Sequence, residues 1–216
     1  MKSIILASKS EVRKKILDEN NIKCTVEPSN LDEDEVKKSL INQGATPELI
    51  SKNLAELKAN KVSQKKLGEI GDFINKSNLR ITSHPGPFNV LTSPHEHVVQ
   101  NCVGDLTMHG DVFDMLGQSR THYNKINIHI GGAYGDKPKS MERFCKNFER
   151  LPQSVQNRLT VENDDKASMY SVKELYDGVY KRIGIPIVFD YHHHRLSLIH
   201  ISEPTRRTPI SYAVFC

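Results

Sequence analysis

The sequence is short of the features that would place it outside a reducing compartment. Its four cysteines, Cys24, Cys102, Cys145 and Cys216, lie far apart without a Cys-x-x-Cys pair, which excludes a disulfide framework and a zinc ribbon. No apolar run approaches the roughly 18 residues that a membrane span needs. The N-terminal Ile4-Ile5-Leu6-Ala7 has the length of a strand rather than of a signal-peptide core. These absences point to a cytoplasmic protein with no membrane partner. A large surplus of one charge is missing too: the formal net charge is +4 over 216 residues, and residues 1–66 supply most of it, with 13 Lys and Arg against 10 Asp and Glu. The remainder is close to neutral, so bulk charge gives no argument for a polyanionic partner.

Two further absences are local. None of the ten histidines precedes His84, and of the twelve glycines only Gly44 precedes Gly68. The chain therefore reads as pieces of different origin, with boundaries expected near 66 and 195.

In residues 1–66 a short apolar strand, Ser3 to Ala7, leads through Ser8-Lys9-Ser10 into a helix with Val12, Ile16 and Leu17 on one face. A strand near Lys23 to Val26 and two polar helices, near 32–43 and 47–63, follow. Strand, Ser-rich turn and helix N-terminus form a plausible phosphate cradle, because free N–H groups and the helix dipole favour an anion there; an ordinary capped helix is the commoner outcome. The run Ile5-Leu6-Ala7-Ser8-Lys9-Ser10-Glu11-Val12-Arg13, with Asp32-Glu33 and Leu54-Ala55-Glu56-Leu57-Lys58-Ala59, resembles the beginning of the Maf family of nucleoside triphosphate pyrophosphatases. The resemblance implies nucleotide binding by Ser8, Ser10 and Arg13. The family's usual Pro-Arg-Arg is Glu-Val-Arg here, and its next segment, which carries the catalytic carboxylate, does not follow Lys66.

From Leu67 the texture changes. Four short apolar runs each end in a ligand-type residue: Arg80 to His84, Ile126 to His129, Leu159 to Glu162 and Ile187 to Asp190. β-Branched runs bounded by Gly and Pro are strand candidates. Their ends are 45, 33 and 28 residues apart, bracketing the roughly 31 residues per unit of a typical (β/α)8 barrel. Helical patterns lie between them, on Val99, Cys102, Leu106, Phe113 and Leu116, on Phe144, Phe148 and Leu151, and on Val172, Leu175, Tyr176, Val179 and Ile183. Alternating strands and helices imply an α/β fold with a parallel sheet. The expectation is a partial TIM-type barrel of about four βα units over 67–195, preceded by a small α/β segment. His84, His129, Glu162 and Asp190 would then meet at the C-terminal rim, where clustered ionisable groups call for a cation. His193, three residues past Asp190, joins them if the chain curls over the rim, whereas His192 points away along an extended segment. The nitrogen and oxygen donors suit manganese or zinc, with magnesium a further possibility.

The motifs Ser83-His84-Pro85-Gly86, Asn127 to Lys137, Arg158 to Asp165 and Phe189-Asp190-Tyr191-His192-His193 resemble, in order, those of the UV-damage endonuclease family. The resemblance implies a barrel related to endonuclease IV that nicks damaged double-stranded DNA on the 5′ side of ultraviolet photoproducts. It also implies up to three divalent ions, usually manganese, held by His84, His129, Glu162, Asp190 and His193. Pro87-Phe88 stands where relatives carry Gln and an aromatic residue that probe the lesion. Further family strands, which supply more ligands, do not follow the Asp-x-x-His motif.

Beyond Arg195, Leu196 to Arg206 and Ile210 to Cys216, separated by Arg207-Thr208-Pro209, resemble a translated sequencing-library adapter with its index. Residues 196–216 are therefore expected to be unstructured, broken by Pro204 and Pro209. The function expected is that of a DNA-repair endonuclease fragment, inactive as it stands. The alternatives are a Maf-like pyrophosphatase fragment and a non-functional chimeric product.

Overall fold

The computed structural model describes residues 4–202. Contacts divide the chain into two compact units, one of Met1–Leu79 with Met115–Gly117 and one of Arg80–Asp114 with Gln118–Cys216.

In the first unit, β1 (Ile4–Leu6) and β2 (Cys24–Val26) pair in parallel, with Ile4 opposite Cys24, on either side of α1 (Glu11–Glu19). Ser10 caps α1 by accepting a 3.4 Å hydrogen bond from the Arg13 amide, which satisfies one of the amides a helix start leaves free. Asp32 caps α2 (Glu33–Asn42) in the same way. The long α3 (Pro47–Lys76), started by the Thr46 cap and Pro47, replaces the expected shorter helix. It runs unbroken through Lys66-Leu67, and the division between units falls after Leu79. Burial is sparse: Leu54, Val62 and Ile74 are inside, while Ile4, Ile5, Val12, Ile16 and Ile41 are exposed.

The second unit holds a three-stranded parallel sheet in the order β3 (Ile126–Ile128), β4 (Leu159–Glu162), β5 (Ile187–Val188). The expected strand at Arg80 to His84 needs correcting, since only one parallel bridge forms, between Ser83 and Ile126. Pro85 lacks the N–H that would extend the ladder beyond His84. A four-unit barrel is therefore reduced, among the described residues, to three paired strands and a bridge. Helices α4 (Glu96–Met115), α5 (Lys137–Phe148) and α6 (Gln153–Gln156) lie between the bridge and β4 in sequence. Leu91, Leu106, Phe144, Val155, Leu159 and Val161 form the centre of a core with almost no solvent exposure.

After β4 come α7 (Val172–Leu175), a π-helical turn (Tyr176–Tyr180) and α8 (Lys181–Ile183). The π turn inserts a residue and rotates the pattern. Leu175 and Val179 are buried, but Tyr176, expected on the same face, is exposed and stacks on Tyr180 with ring centroids 5.2 Å apart.

The chain then enters α9 (Tyr191–Ser202) directly from Asp190. The histidine tract is thus helical rather than extended, and residues 196–202 of the expected unstructured tail belong to this helix. Residues 203–216 lie outside the described residues. No described helix is long and apolar enough to cross a membrane. Burial pushes the Cys102 thiol up to about 12 and the Cys145 thiol up as well, which leaves both poor nucleophiles.

Candidate metal centre

Parallel pairing aligns the ends of β3 and β4, so the residue after β3, His129, arrives beside the last residue of β4, Glu162. The bridge at Ser83 brings in His84. The Nε2 atoms of His84 and His129 lie 2.8 and 2.9 Å from the same oxygen, Glu162 Oε1, and the two rings meet edge to face at 5.8 Å.

Glu162 is buried and its other oxygen, Oε2, accepts a hydrogen bond from the Asn127 amide nitrogen. Asn127 is itself fixed by the Thr160 hydroxyl, which donates to its carbonyl oxygen at 2.7 Å. Burial works against the Glu162 charge, but hydrogen bonds from His129 and His84 prevail and hold its carboxyl at about 2. His129 is pushed up to about 10 by Asp164 and then Glu162, against the effect of burial. Its Nδ1 lies 3.1 Å from Asp164 Oδ1.

Asp190 and His193 complete the arrangement through the start of α9. Asp190 acts as the helix cap, with Oδ1 accepting from the His193 amide at 2.9 Å. Asn163 grips Asp190 on both sides, accepting from its amide and donating to its carbonyl, each at 2.9 Å. The His193 ring packs 5.2 Å from that of His129, and its Nδ1 sits 3.0 Å from the Asn163 carbonyl oxygen. His192 and His194 remain exposed.

All five expected ligand residues thus come together. His84, His129 and Glu162 form one group and Glu162, Asp190 and His193 another, each with donor atoms within 4.8 Å of one another. Glu162 belongs to both. Imidazole nitrogens with carboxylate oxygens fit a divalent first-row cation, the imidazoles suiting zinc and the carboxylates manganese, and the depressed carboxyl of Glu162 suits that role.

The centre opens into a cleft of about 500 Å³ lined by His84, Pro87, His129, Asp164 and His193. Phe88 stands beside Pro87 with 87% of its surface exposed. Gly131, at φ +108°, turns the chain after His129; a Cβ there would meet Thr92 Oγ1 and Val90 Cγ1 at 2.5 Å. Sequence reasoning left Asp164, Asn127 and Asn163 without roles. The signal for Asn127 is its position between two isoleucines in a buried strand, where a polar group needs a partner.

Ser8, Ser10 and Arg13 also come together, at the β1–α1 turn. Ser8 Oγ accepts from Arg13 Nη1 at 3.4 Å and from the Ser10 amide at 3.3 Å, and a neighbouring hollow of about 220 Å³ is lined by Ser8, Lys9, Asn30 and Lys58 among others.

Comparison with known proteins finds similar chains. The chain is 43% identical over 131 residues to the UV DNA damage endonuclease of Bacillus pumilus (strain SAFR-032), covering 61% of this chain and 39% of that protein. It is 42% identical over 130 residues to the UV DNA damage endonuclease of Bacillus cereus (strain G9842), covering 60% and 39%. The crystal structure of SacUVDE superposes with a TM-score of 0.56 at 41% identity, over 62% of this chain and 44% of that one. The chain thus spans well under half the length of these relatives. The family model for UV-endonuclease UvdE matches residues 48–209, which takes in α3 from its second residue, every strand of the second unit and all five clustered residues, His84, His129, Glu162, Asp190 and His193. The chain belongs to the UV-endonuclease UvdE family.

Proposed function

We propose that this chain is a fragment of a metal-dependent DNA-repair endonuclease of the kind that nicks double-stranded DNA 5′ to ultraviolet photoproducts. The observation that carries the reading is the convergence of His84 and His129 on Glu162, with Asp190 and His193 completing a second group around the same carboxylate. Manganese is the ion we assign. When bound, such an ion lowers the pKa of a coordinated water and offsets charge on the phosphodiester. The residues present would hold the ion, with Asn127 orienting Glu162 and Asn163 orienting Asp190. Phe88, exposed at the cleft edge, and Pro87 would meet the lesion.

The three parallel strands and the bridge support a partial TIM-type barrel, and the 216 residues alone are proposed to be inactive, because open sheet edges and five ligands leave the centre unfinished. The test is incision of end-labelled, ultraviolet-irradiated duplex in Mn²⁺, paired with Mn²⁺ binding. Bound manganese that depends on Glu162, without incision, supports the reading; incision by the 216-residue chain overturns the proposed inactivity, and absence of a Glu162-dependent manganese site overturns the metal centre.

A second reading concerns the first unit, as a Maf-like piece joined near Lys66, with an adapter-derived tail after Arg195 making the whole a chimera. It is favoured by the Ser8–Arg13 contact and by the exposed apolar faces of β1 and α1, which suit a segment of a larger fold. Against these junctions stand the unbroken α3 and a family match that begins at residue 48 and ends at 209. Nucleotide reads that run without interruption across both points would remove the chimera, and release of pyrophosphate from a noncanonical nucleoside triphosphate would make the first unit a functional nucleotide site.

A further inference from the structure

His84 and Phe88, the residues that the proposed centre needs from the 83–89 loop, are largely exposed and not held by packing: the His84 side chain keeps 53% of its surface in solvent and Phe88 projects outward. The His84 ring meets Glu162 and His129, and the Ser83 backbone is bridged to Ile126, but the loop needs further support to keep that presentation. Two side chains of α4 touch the loop at its two ends. His109 Nδ1 lies 2.9 Å from the Ser83 hydroxyl, immediately before His84. Asp105 Oδ2 accepts a 2.8 Å hydrogen bond from the Asn89 side-chain amide, immediately after Phe88. Asn89 is buried, and the same nitrogen donates to the Gly86 carbonyl at 3.3 Å, closing the turn from within. Asp105 and His109 are one helical turn apart and face each other at 3.8 Å, so the two grips share one rigid support.

We infer that Asp105 and His109 are positioning residues that clamp both ends of the 83–89 loop to α4, presenting His84 to Glu162 and holding Phe88 at the mouth of the cleft. Neither residue belongs to either candidate ligand group; the pair acts through Ser83 and Asn89. The consequence for manganese rests on the reading of the centre given above, whereas the effect on the loop does not.

The experiment uses the full chain and two readouts. The first is amide hydrogen exchange without metal at Ser83 and Asn89, whose N–H groups donate to Lys125 O at 2.9 Å and Gly86 O at 3.3 Å. Loss of one net hydrogen bond predicts exchange about 5- to 10-fold faster in His109→Ala and in Asp105→Ala, with the β4 amides unchanged. The second is Mn²⁺ affinity by equilibrium dialysis, expected to weaken about 10- to 100-fold, as for other outer supports of a metal ligand. His109→Asn, which keeps a polar group near the Nδ1 position, and Asp105→Asn, which keeps an acceptor, are expected to restore both readouts in large part. Unchanged exchange at Ser83 and Asn89 in both alanine variants overturns the clamp, as does an effect spread equally over β4, which would signify general destabilisation. His84→Ala separates the two ideas. If it leaves Mn²⁺ binding intact, the proposed centre fails while the exchange result still judges the clamp; if it abolishes binding and the alanine variants of α4 do not weaken it, the clamp fails alone.

Discussion

Arg158 Nη1 lies 2.8 Å from Asp114 Oδ1, and the arginine side chain has no exposed surface at all. Its guanidinium also donates to the carbonyl oxygens of Gln118 at 2.6 Å, Ser154 at 2.9 Å and Ser119 at 3.1 Å, and sits 5.4 Å over the Phe113 ring. The residue at the entry to β4 therefore ties that strand to the end of α4 and the loop before β3. Replacing it by methionine leaves several buried acceptors without a donor. Arg158→Met is expected to lower the unfolding free energy by roughly 3–5 kcal/mol, measured by urea titration, and a loss below about 1 kcal/mol would show that water or repacking replaces the network.

The same pair sets an acid sensitivity. Burial opposes the Asp114 charge, yet hydrogen bonds from Arg120 and Arg158 hold its carboxyl below the ordinary value. With the folded pKa depressed, the unfolded chain binds the proton more readily, so stability rises with pH across the interval between the two values. The contribution is complete above the unfolded value of about 3.9 and fades as pH falls through the folded one. Urea midpoints taken between pH 5 and 2.5 are expected to fall more steeply for the unsubstituted chain than for Asp114→Asn. Parallel slopes would contradict this assignment.

Glu162 is the carboxylate common to both groups of clustered donors, so under the proposed metal centre its charge matters more to cation binding than any single imidazole. Glu162→Gln preserves size and the contact from Asn127 while removing the negative charge. Manganese binding is expected to fall by more than about 100-fold, beyond what the loss of an outer support produces. Electron paramagnetic resonance of free Mn²⁺ reads this directly, and retention of affinity within tenfold would place the ion elsewhere.

How much of this was legible in the sequence follows from what each signal encodes. Strand β3 is an apolar run followed at once by His129 and β4 is one that ends in Glu162, and parallel pairing makes these positions neighbours, so the core of the proposed centre is legible in the spacing. The Arg80 to His84 run carries the same pattern, but pairing depends on a neighbour and on Pro85, which no local pattern reports. Tyr176 was misplaced because a π turn breaks the 3.6-residue period from within an otherwise regular stripe. The pattern divides α3 because Lys65-Lys66 interrupts its apolar stripe, yet neither residue breaks a helix and the helix continues. The Ile187 to Asp190 run has the pattern of a strand, but β5 ends at Val188 and Asp190 caps α9, which is why the histidines after it are helical. Contacts such as His109 with Ser83 join residues 26 apart in sequence, and nothing periodic announces them.

Gly131 tests how closely the loop after His129 must approach its neighbours. Its φ of +108° disfavours any side chain, and an added Cβ would stand 2.5 Å from Val90 Cγ1 and Thr92 Oγ1. Gly131→Ala is expected to cost roughly 1–3 kcal/mol through backbone strain, with added cost if Val90 and Thr92 cannot move aside. The measurable sign is a lower thermal midpoint together with weaker Mn²⁺ binding, since His129 is only two residues away. A stability equal to that of the unsubstituted chain would mean the loop relaxes freely.

Phe88 separates stability from recognition. An aromatic ring with 87% of its surface in solvent has little packing to lose, so Phe88→Ala is expected to change the unfolding free energy by no more than about 0.5 kcal/mol. If the ring stacks on an unpaired or distorted base, its removal forfeits roughly 1–3 kcal/mol of binding, equivalent to about 5- to 150-fold in affinity. Fluorescence anisotropy with an ultraviolet-irradiated duplex, set against the same duplex before irradiation, measures the difference. The loss should be confined to the irradiated DNA, because backbone contacts serve both equally. Equal losses on both substrates would make Phe88 a general contact, and no loss on either would remove it from the proposed DNA-facing surface.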